Sequence, residues 1–230
     1  TLDADLRSFD EEYLIEYEIG LKTMLADDTV AVQLAIFYDD REDQQVKSSL
    51  VRERPNGSTE FIDFLGNAAE GTNKGVEIDV NWSVSDNFWI TANAGWLDAK
   101  FDTFINEFGE DLAGRDQAHA PNYMYNVTVN YEQGPWFVNV SADGKDEFYF
   151  SDRHTVKSDS YTLYNASLRY QADQWKLTLW GRNLTDEDVY VRAFGSFGND
   201  PRKGYALEPY FQFGEPRVTG FTLEFTFGER

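Results

Sequence analysis

The residues able to do covalent or metal chemistry are few. No cysteine occurs among the 230 residues, which removes thiolate nucleophiles, disulfides and cysteine zinc sites. The two histidines are His119 and His154. His154 ends the polar run Ser151-Asp152-Arg153-His154, where it could touch a ligand or a metal chelate. A protein-held metal needs several converging ligands, so a solvated loop is the plainer reading. The acidic run Asp39, Asp40, Glu42, Asp43 suggests calcium, but it lacks the spacing and central glycine of an EF-hand. Strand alternation would also split it between two faces. Glu16 and Glu18 share a strand face, which a water-lined wall explains without catalysis. There is no phosphate-cradling glycine motif and no Gly-x-Ser-x-Gly nucleophile turn. The sequence therefore predicts no catalytic, cofactor-binding or metal residues.

Contact chemistry remains. One polar segment offers Tyr149, Arg153 and His154; a second, from Val191 to Phe213, offers Arg192, Phe194, Phe197, Arg202, Tyr205 and Tyr210. Aromatic rings stack on sugars or planar chelates, and Arg pairs with anionic groups. These nine are the candidate ligand contacts; the competing reading is that they only pack their own loops.

The elements that would hold them are strands. From Phe221 the chain alternates: Phe221, Leu223, Phe225 and Phe227 on one face, Thr222, Glu224 and Thr226 on the other. The same pattern recurs from Tyr13 to Lys22, from Val30 on into the charged stretch ending at Arg54, and from Glu60 to Val84. It returns from Phe88 to Trp96, Tyr123 to Tyr131, Trp136 toward Tyr149, Tyr164 to Tyr170 and Trp175 to Trp180. That makes about nine strands by the alternation criterion. Connections alternate too. Short turns fall near residues 27, 86, 134 and 173, and longer or more polar ones near 56, 110, 155 and 205. An up-and-down barrel in an outer membrane sorts its connections in this way, whereas a Greek-key sandwich does not. The sequons at Asn81, Asn126, Asn139 and Asn165 read as the water-facing alternates of such strands.

Composition agrees. No run approaches the ~18 apolar residues of a membrane helix, and mean hydropathy is -0.55. A β-barrel gives such a value because lipid-facing and water-facing residues cancel along each strand. Aromatics make up 16% of the chain and repeatedly mark the ends of apolar faces, many beside short turns, as interfacial girdles do. The net charge of -21 argues against nucleic acid as a partner.

Several phrases, in order, resemble the C-terminal part of the TonB-dependent outer-membrane receptor family. They are Gly75-Val76-Glu77; Leu112-Ala113-Gly114-Arg115 followed by Ala120-Pro121; Leu179 to Tyr190 with its Asn183-Leu184 signature; and Gly214-Glu215-Pro216-Arg217 before the last strand. The resemblance implies an all-β fold. Residues 1–230 would be the C-terminal portion of an antiparallel up-and-down transmembrane β-barrel of the roughly 22-strand class, with the plug domain and first strands absent. It also implies a bacterial outer-membrane location and active import of a scarce nutrient: a ferric siderophore, cobalamin, haem or saccharide. The implied partners are outer-membrane lipid, a TonB-type energy-coupling protein reached through the missing N-terminal part, small-molecule cargo, and the barrel assembly machinery through a last strand ending at Phe227. The alternatives are a passive outer-membrane channel and a soluble β-sandwich binding module.

Overall fold

The computed structural model describes residues 8–106, 108–193, 198 and 200–227, with the backbone alone for 48–50. Eleven strands run in chain order: β1 (Tyr13–Leu25), β2 (Val30–Glu53), β3 (Thr59–Ser85), β4 (Phe88–Phe104), β5 (Tyr123–Gln133), β6 (Trp136–Lys145), β7 (Tyr161–Gln171), β8 (Trp175–Arg182), β9 (Tyr190–Ala193), β10 (Phe211–Phe213) and β11 (Val218–Phe225). Nine of them form one antiparallel sheet in the order β1-β2-β3-β4-β5-β6-β7-β8-β11. The remaining two, β9 and β10, pair only with each other. The large sheet is a meander and has no second large sheet packed on it among the described residues, which removes the sandwich alternative. Its outer strands β1 and β11 do not pair with one another, so it is an open section of wall rather than a small closed barrel.

Three boundaries differ from the sequence expectation. The strand from Trp136 stops at Lys145 instead of running toward Tyr149. There Asp146 N donates to Tyr123 O at 3.0 Å, and the chain then folds back, Phe148 N donating to Ser158 Oγ at 3.1 Å. The segment after Asn183 is not wholly irregular, since it holds β9, β10 and a short 3-10 turn at Pro201–Lys203. The last strand starts earlier, at Val218, and ends at Phe225. Phe227 lies beyond it, 92% exposed and stacked on Phe225.

Register gives the sheet its sides. One row joins Ile19, Ile36, Val76, Trp96 and Tyr123 across β1 to β5. Another joins Phe88, Tyr131, Val138, Leu168, Leu179 and Phe221 across β4 to β11. Every member is apolar or aromatic, and strand pleating puts all of them on one face. That face is bare even at central strands: Trp96 is 54% exposed and Leu179 49%. A soluble protein rarely leaves so extended an apolar face open, whereas a bilayer covers it.

The opposite face carries a polar ladder. Asn126 Nδ2 donates to Asp143 at 2.5 Å, Asn139 Nδ2 to Asn130 at 2.8 Å, and Asn165 Nδ2 to Asp143 at 2.9 Å. The sequon asparagines of β5 to β7 are thus tied to neighbouring strands.

The apolar band has a defined height. On β4 it runs from Phe88 to Trp96, about 27 Å along the strand at ~3.4 Å per residue. A tilt of ~40° reduces this to roughly 21 Å, close to the ~25 Å band of an outer-membrane barrel. The next row on the same face is charged: Lys74 pairs with Asp98 at 3.2 Å and Lys100 with Asp98 at 2.8 Å. At the opposite end Trp136, Tyr170 and Trp175 pack ring to ring, with centroids 4.8 and 5.4 Å apart, beside the short turns. All four short connections lie at that end. The long ones lie at the other, where β2 and β3 project beyond the band.

Candidate functional site

The site is built at the long-connection end, where three segments converge on the polar face: residues 105–122, 146–160 and 183–217. Each is anchored before it can carry a contact residue. At the base of the last segment, Asn183 is 2% exposed and adopts a left-handed backbone, φ 47°. Its Nδ2 donates to Glu187 O at 2.9 Å and to Glu215 O at 3.0 Å, and its Oδ1 accepts from Glu187 N at 2.9 Å. Asp186 accepts from Arg217 N at 2.9 Å, and Arg182 pairs with Glu215 at 2.7 Å. The Asn183-Leu184 phrase and the Gly214-Glu215-Pro216-Arg217 phrase are therefore two halves of one clamp between β8 and β11.

The segment 105–122 folds onto the polar face of β3 and β4. Phe101 and Phe104 are buried with Leu112 and Ala69. Gln117 Nε2 donates to Asn73 Oδ1 and to Lys100 O, both at 3.1 Å. Its next neighbour is the segment 146–160, and Arg115 ties the two. The guanidinium lies 4.0 Å from the centre of the Tyr149 ring. Its Nη2 donates to Ser151 O at 2.6 Å and to His154 O at 2.7 Å. Asp152 closes the same contact from the other side, accepting from Ala118 N at 3.2 Å. Burial pushes its carboxyl above the usual carboxylate range, against the opposing pull of the Ala118 N–H, Arg115 and His119.

Further along, Phe148, Phe150 and Ala193 form a second buried cluster with Val156 and Tyr190 packed on it. His119 rests on this cluster, its ring 5.4 Å from Phe148, and its amide donates to Tyr149 O at 2.8 Å. Burial first, then the charges of Lys145 and Arg192, hold the imidazole below its ordinary range; Asp152 acts in the opposite sense. Lys145 Nζ lies 4.4 Å from the centre of the Phe148 ring.

Beneath these segments the polar face has a concavity of about 440 Å³. Its long axis follows one cross-strand row, Glu77, Gly95, Met124, Lys145 and Tyr161. Asp79, Asn93, Asn126 and Asp143 line the row below. The arrangement can bind and orient a ligand; it holds no paired acid and base at bonding distance around a nucleophile. Among the described residues no group of three His, Asp or Glu side chains is placed to hold a metal ion.

The nine sequence-predicted contacts separate into groups. Tyr149, Arg153 and His154 come together with Arg115. Tyr149 carries Arg115 on its ring and also Lys157, whose Nζ is 4.4 Å from the ring centre. Arg153 is 9% exposed, with its guanidinium 5.2 Å from the Phe108 ring centre. His154 Nδ1 accepts from Val156 N at 3.3 Å. These three are largely engaged in packing the loops. Arg192 is exposed beside the Phe148 cluster and acts on His119. Arg202, Tyr205 and Tyr210 lie in a separate lobe, where Arg202 pairs with Asp200 at 3.0 Å and Tyr210 donates to Glu208 at 2.7 Å. Tyr205 meets Phe61 of β3 edge to face at 5.1 Å. Phe194 and Phe197 lie outside the described residues.

Sequence reasoning missed His119, Lys145 and Tyr161 as a group, and it noted Arg115 only as part of a phrase. The missing signal is register: Lys145 and Tyr161 are opposite partners on β6 and β7.

This architecture, with an apolar band, a polar inner wall, short turns at one end and ligand-sized loops at the other, is that of an outer-membrane β-barrel wall. The family model "TonB dependent receptor-like, beta-barrel" matches residues 4–184. The chain belongs to that family, whose members are receptors and transporters rather than enzymes.

Three relatives illustrate the likeness. A protein described as the probable TonB-dependent siderophore receptor PiuA of Acinetobacter baumannii is 22% identical over 209 residues, covering 85% of this chain and 26% of its own. The crystal structure of the siderophore receptor PiuA from that organism superposes with a TM-score of 0.72 at 21% identity, over 97% of this chain and 30% of the other. The ferrioxamine receptor of Yersinia enterocolitica is 29% identical over 137 residues, 55% of this chain and 18% of the receptor. The ferric yersiniabactin uptake receptor FyuA from Yersinia pestis superposes with a TM-score of 0.72 at 18% identity, over 94% of this chain and 30% of the other. The chain thus spans less than a third of the length of the proteins it matches.

Proposed function

We propose that this chain is the C-terminal part of the barrel of a receptor that imports a ferric siderophore across the outer membrane, driven by a TonB-type partner. The plug domain and first strands of the roughly 22-strand barrel would belong to the rest of the protein. The observation that carries this reading is the coincidence of the family match over residues 4–184 with relatives described as siderophore receptors. The two-faced sheet supports it, since its polar wall and clamped outer loops suit capture of a small molecule from outside. On this reading outer-membrane lipid covers the apolar face. The assembly machinery would engage β11 with Phe227 beside it. Nothing in the open nine-stranded sheet favours a self-contained passive channel.

The test is uptake of radioactive iron by cells producing the whole receptor, supplied as ferric hydroxamate and ferric catecholate chelates. The reading expects receptor-dependent accumulation that a protonophore abolishes. Receptor-dependent flux of small sugars that a protonophore leaves unchanged, with no uptake of chelated iron, would replace it with the passive channel.

A further inference from the structure

The concavity on the inner wall has an uneven charge distribution that bears on what it accepts. The chain carries 41 acidic side chains against 20 basic ones, so unmatched positive charge on it is unusual. Most of its cations are neutralised locally, as Lys74, Lys157, Lys176, Arg182 and Arg217 are by carboxylates within 4 Å. Lys145 and Arg192 are different: among the described residues neither side chain forms a hydrogen bond or an ion pair. Both act on His119, so the three nitrogen-bearing groups share one end of the concavity. Tyr161, opposite Lys145 on β7, supplies an aromatic face there.

The carboxylates near this end are already engaged. Asp143 accepts from Asn126 and Asn165, Glu147 pairs with Lys157 at 2.8 Å, and Asp152 accepts from Ala118 N. Asp146 accepts from Glu147 N at 2.9 Å. Glu77 and Asp79 also line the concavity, but on β3, three strands from β6. At ~4.8 Å per strand that is roughly 14 Å, beyond the ~8 Å over which exposed charges interact at physiological salt. Gly95 lies between them on the same row, and a Cβ built there meets nothing within 4 Å, which leaves the floor open.

We infer that the Lys145 end of this concavity is a subsite for an anionic metal chelate, with Lys145 and Arg192 pairing with its negative charge and Tyr161 stacking on its planar ligand arms. The inference rests on the import reading and narrows its substrate class to chelates of net negative charge.

The test uses the whole receptor purified in detergent and three probes: an anionic ferric tris-catecholate, a neutral ferric trihydroxamate and a cationic ferric trihydroxamate. Tryptophan fluorescence quenching gives the affinities. Lys145→Gln and Arg192→Gln are each expected to weaken the tris-catecholate by roughly tenfold to a hundredfold. Binding of the neutral probe should stay within a factor of about two, and Lys145→Arg should retain the anionic probe. A double variant that binds the tris-catecholate like the wild type overturns the inference, as does equal loss of all three probes, which would mark a structural role. Preference of the wild type for the neutral or cationic probe also overturns it, while leaving the import reading intact. Failure of the folded receptor to bind any chelate overturns both.

Discussion

The ring of Tyr125 fills the space that a side chain on Gly144 would need, and its hydroxyl bonds to Thr162 at 2.8 Å on the strand beyond. One aromatic residue on β5 thereby spans β6 and reaches β7. Two other glycines stand in the same relation to a ring: Phe37 lies 2.6 Å from where a Cβ on Gly75 would sit, and Trp180 lies 2.5 Å from that of Gly220. Tyrosine and tryptophan bury large areas at low conformational cost, and a glycine opposite gives the ring a flat seat on the pleated surface. Gly144→Ala should therefore destabilise the barrel by about 1–3 kcal/mol through overpacking, whereas Gly95→Ala, with open space above it, should be neutral or slightly stabilising. The urea midpoint of the refolded whole receptor checks the contrast.

Asn183 is expected to matter more for the last loop than for the barrel. Its amide satisfies three backbone groups on both stems of the β8 to β11 connection. Asn183→Ala leaves those groups buried and unpaired at about 1–3 kcal/mol, and it places alanine in a left-handed backbone. Protease nicking between residues 184 and 216 should accelerate while the barrel still migrates as a folded species.

Arg115 should hold two loops as one body. Arg115→Lys keeps the charge but loses the planar fork that reaches Ser151 O and His154 O together and stacks on Tyr149. The expected loss is roughly 1.5–3 kcal/mol of loop–loop contact. Faster proteolysis within 146–160 on intact cells, with unchanged cleavage at 54–58, is the expected pattern.

The Arg115 contact should also respond to pH with a definite sign. The Asp152 carboxyl is raised in the folded state, so its contribution is full below its unfolded value of about 3.9 and is lost as pH rises through the higher folded value. His119 is lowered, so its contribution is full above about 6.5 and is lost as pH falls through the lower folded value. Asp152→Asn keeps an acceptor for Ala118 N–H and removes only the first dependence. Amide-exchange protection of Ala118, corrected for intrinsic rates, should fall with rising pH above about 4 in the wild type and stay level in the variant.

Much of the wall was legible from residue types alone. Alternation from Tyr13, Val76, Phe88 and Phe221 locates strands because a pleated chain with lipid on one side and water on the other has to alternate. Long and short connections separate by parity because a meander puts alternate hairpins at opposite ends. The early stop of β6 at Lys145 was not legible, since Asp146 to Phe150 keeps an alternating look and the fold-back depends on Ser158, far along the chain. The same limit hid the Lys145, Tyr161 and His119 group, whose members meet only through cross-strand register and loop packing. Arg153 and His154 looked like free contact residues in the sequence, but the structure places them against Phe108 and Val156. The two stems of the Asn183 clamp were visible as separate phrases, and only the fold joins them.

The central claim is that one face of every strand meets hydrocarbon and the other lines an aqueous interior. The absence of cysteine makes it directly measurable, because single cysteines can be placed at Val76, Glu77, Leu177, Thr178, Leu223 and Glu224 of the whole receptor and spin-labelled in outer-membrane lipid. The account predicts that labels at 76, 177 and 223 relax with oxygen dissolved in the bilayer, and that labels at 77, 178 and 224 relax with a water-soluble nickel chelate. The reverse assignment, or equal access at neighbouring positions, would contradict it.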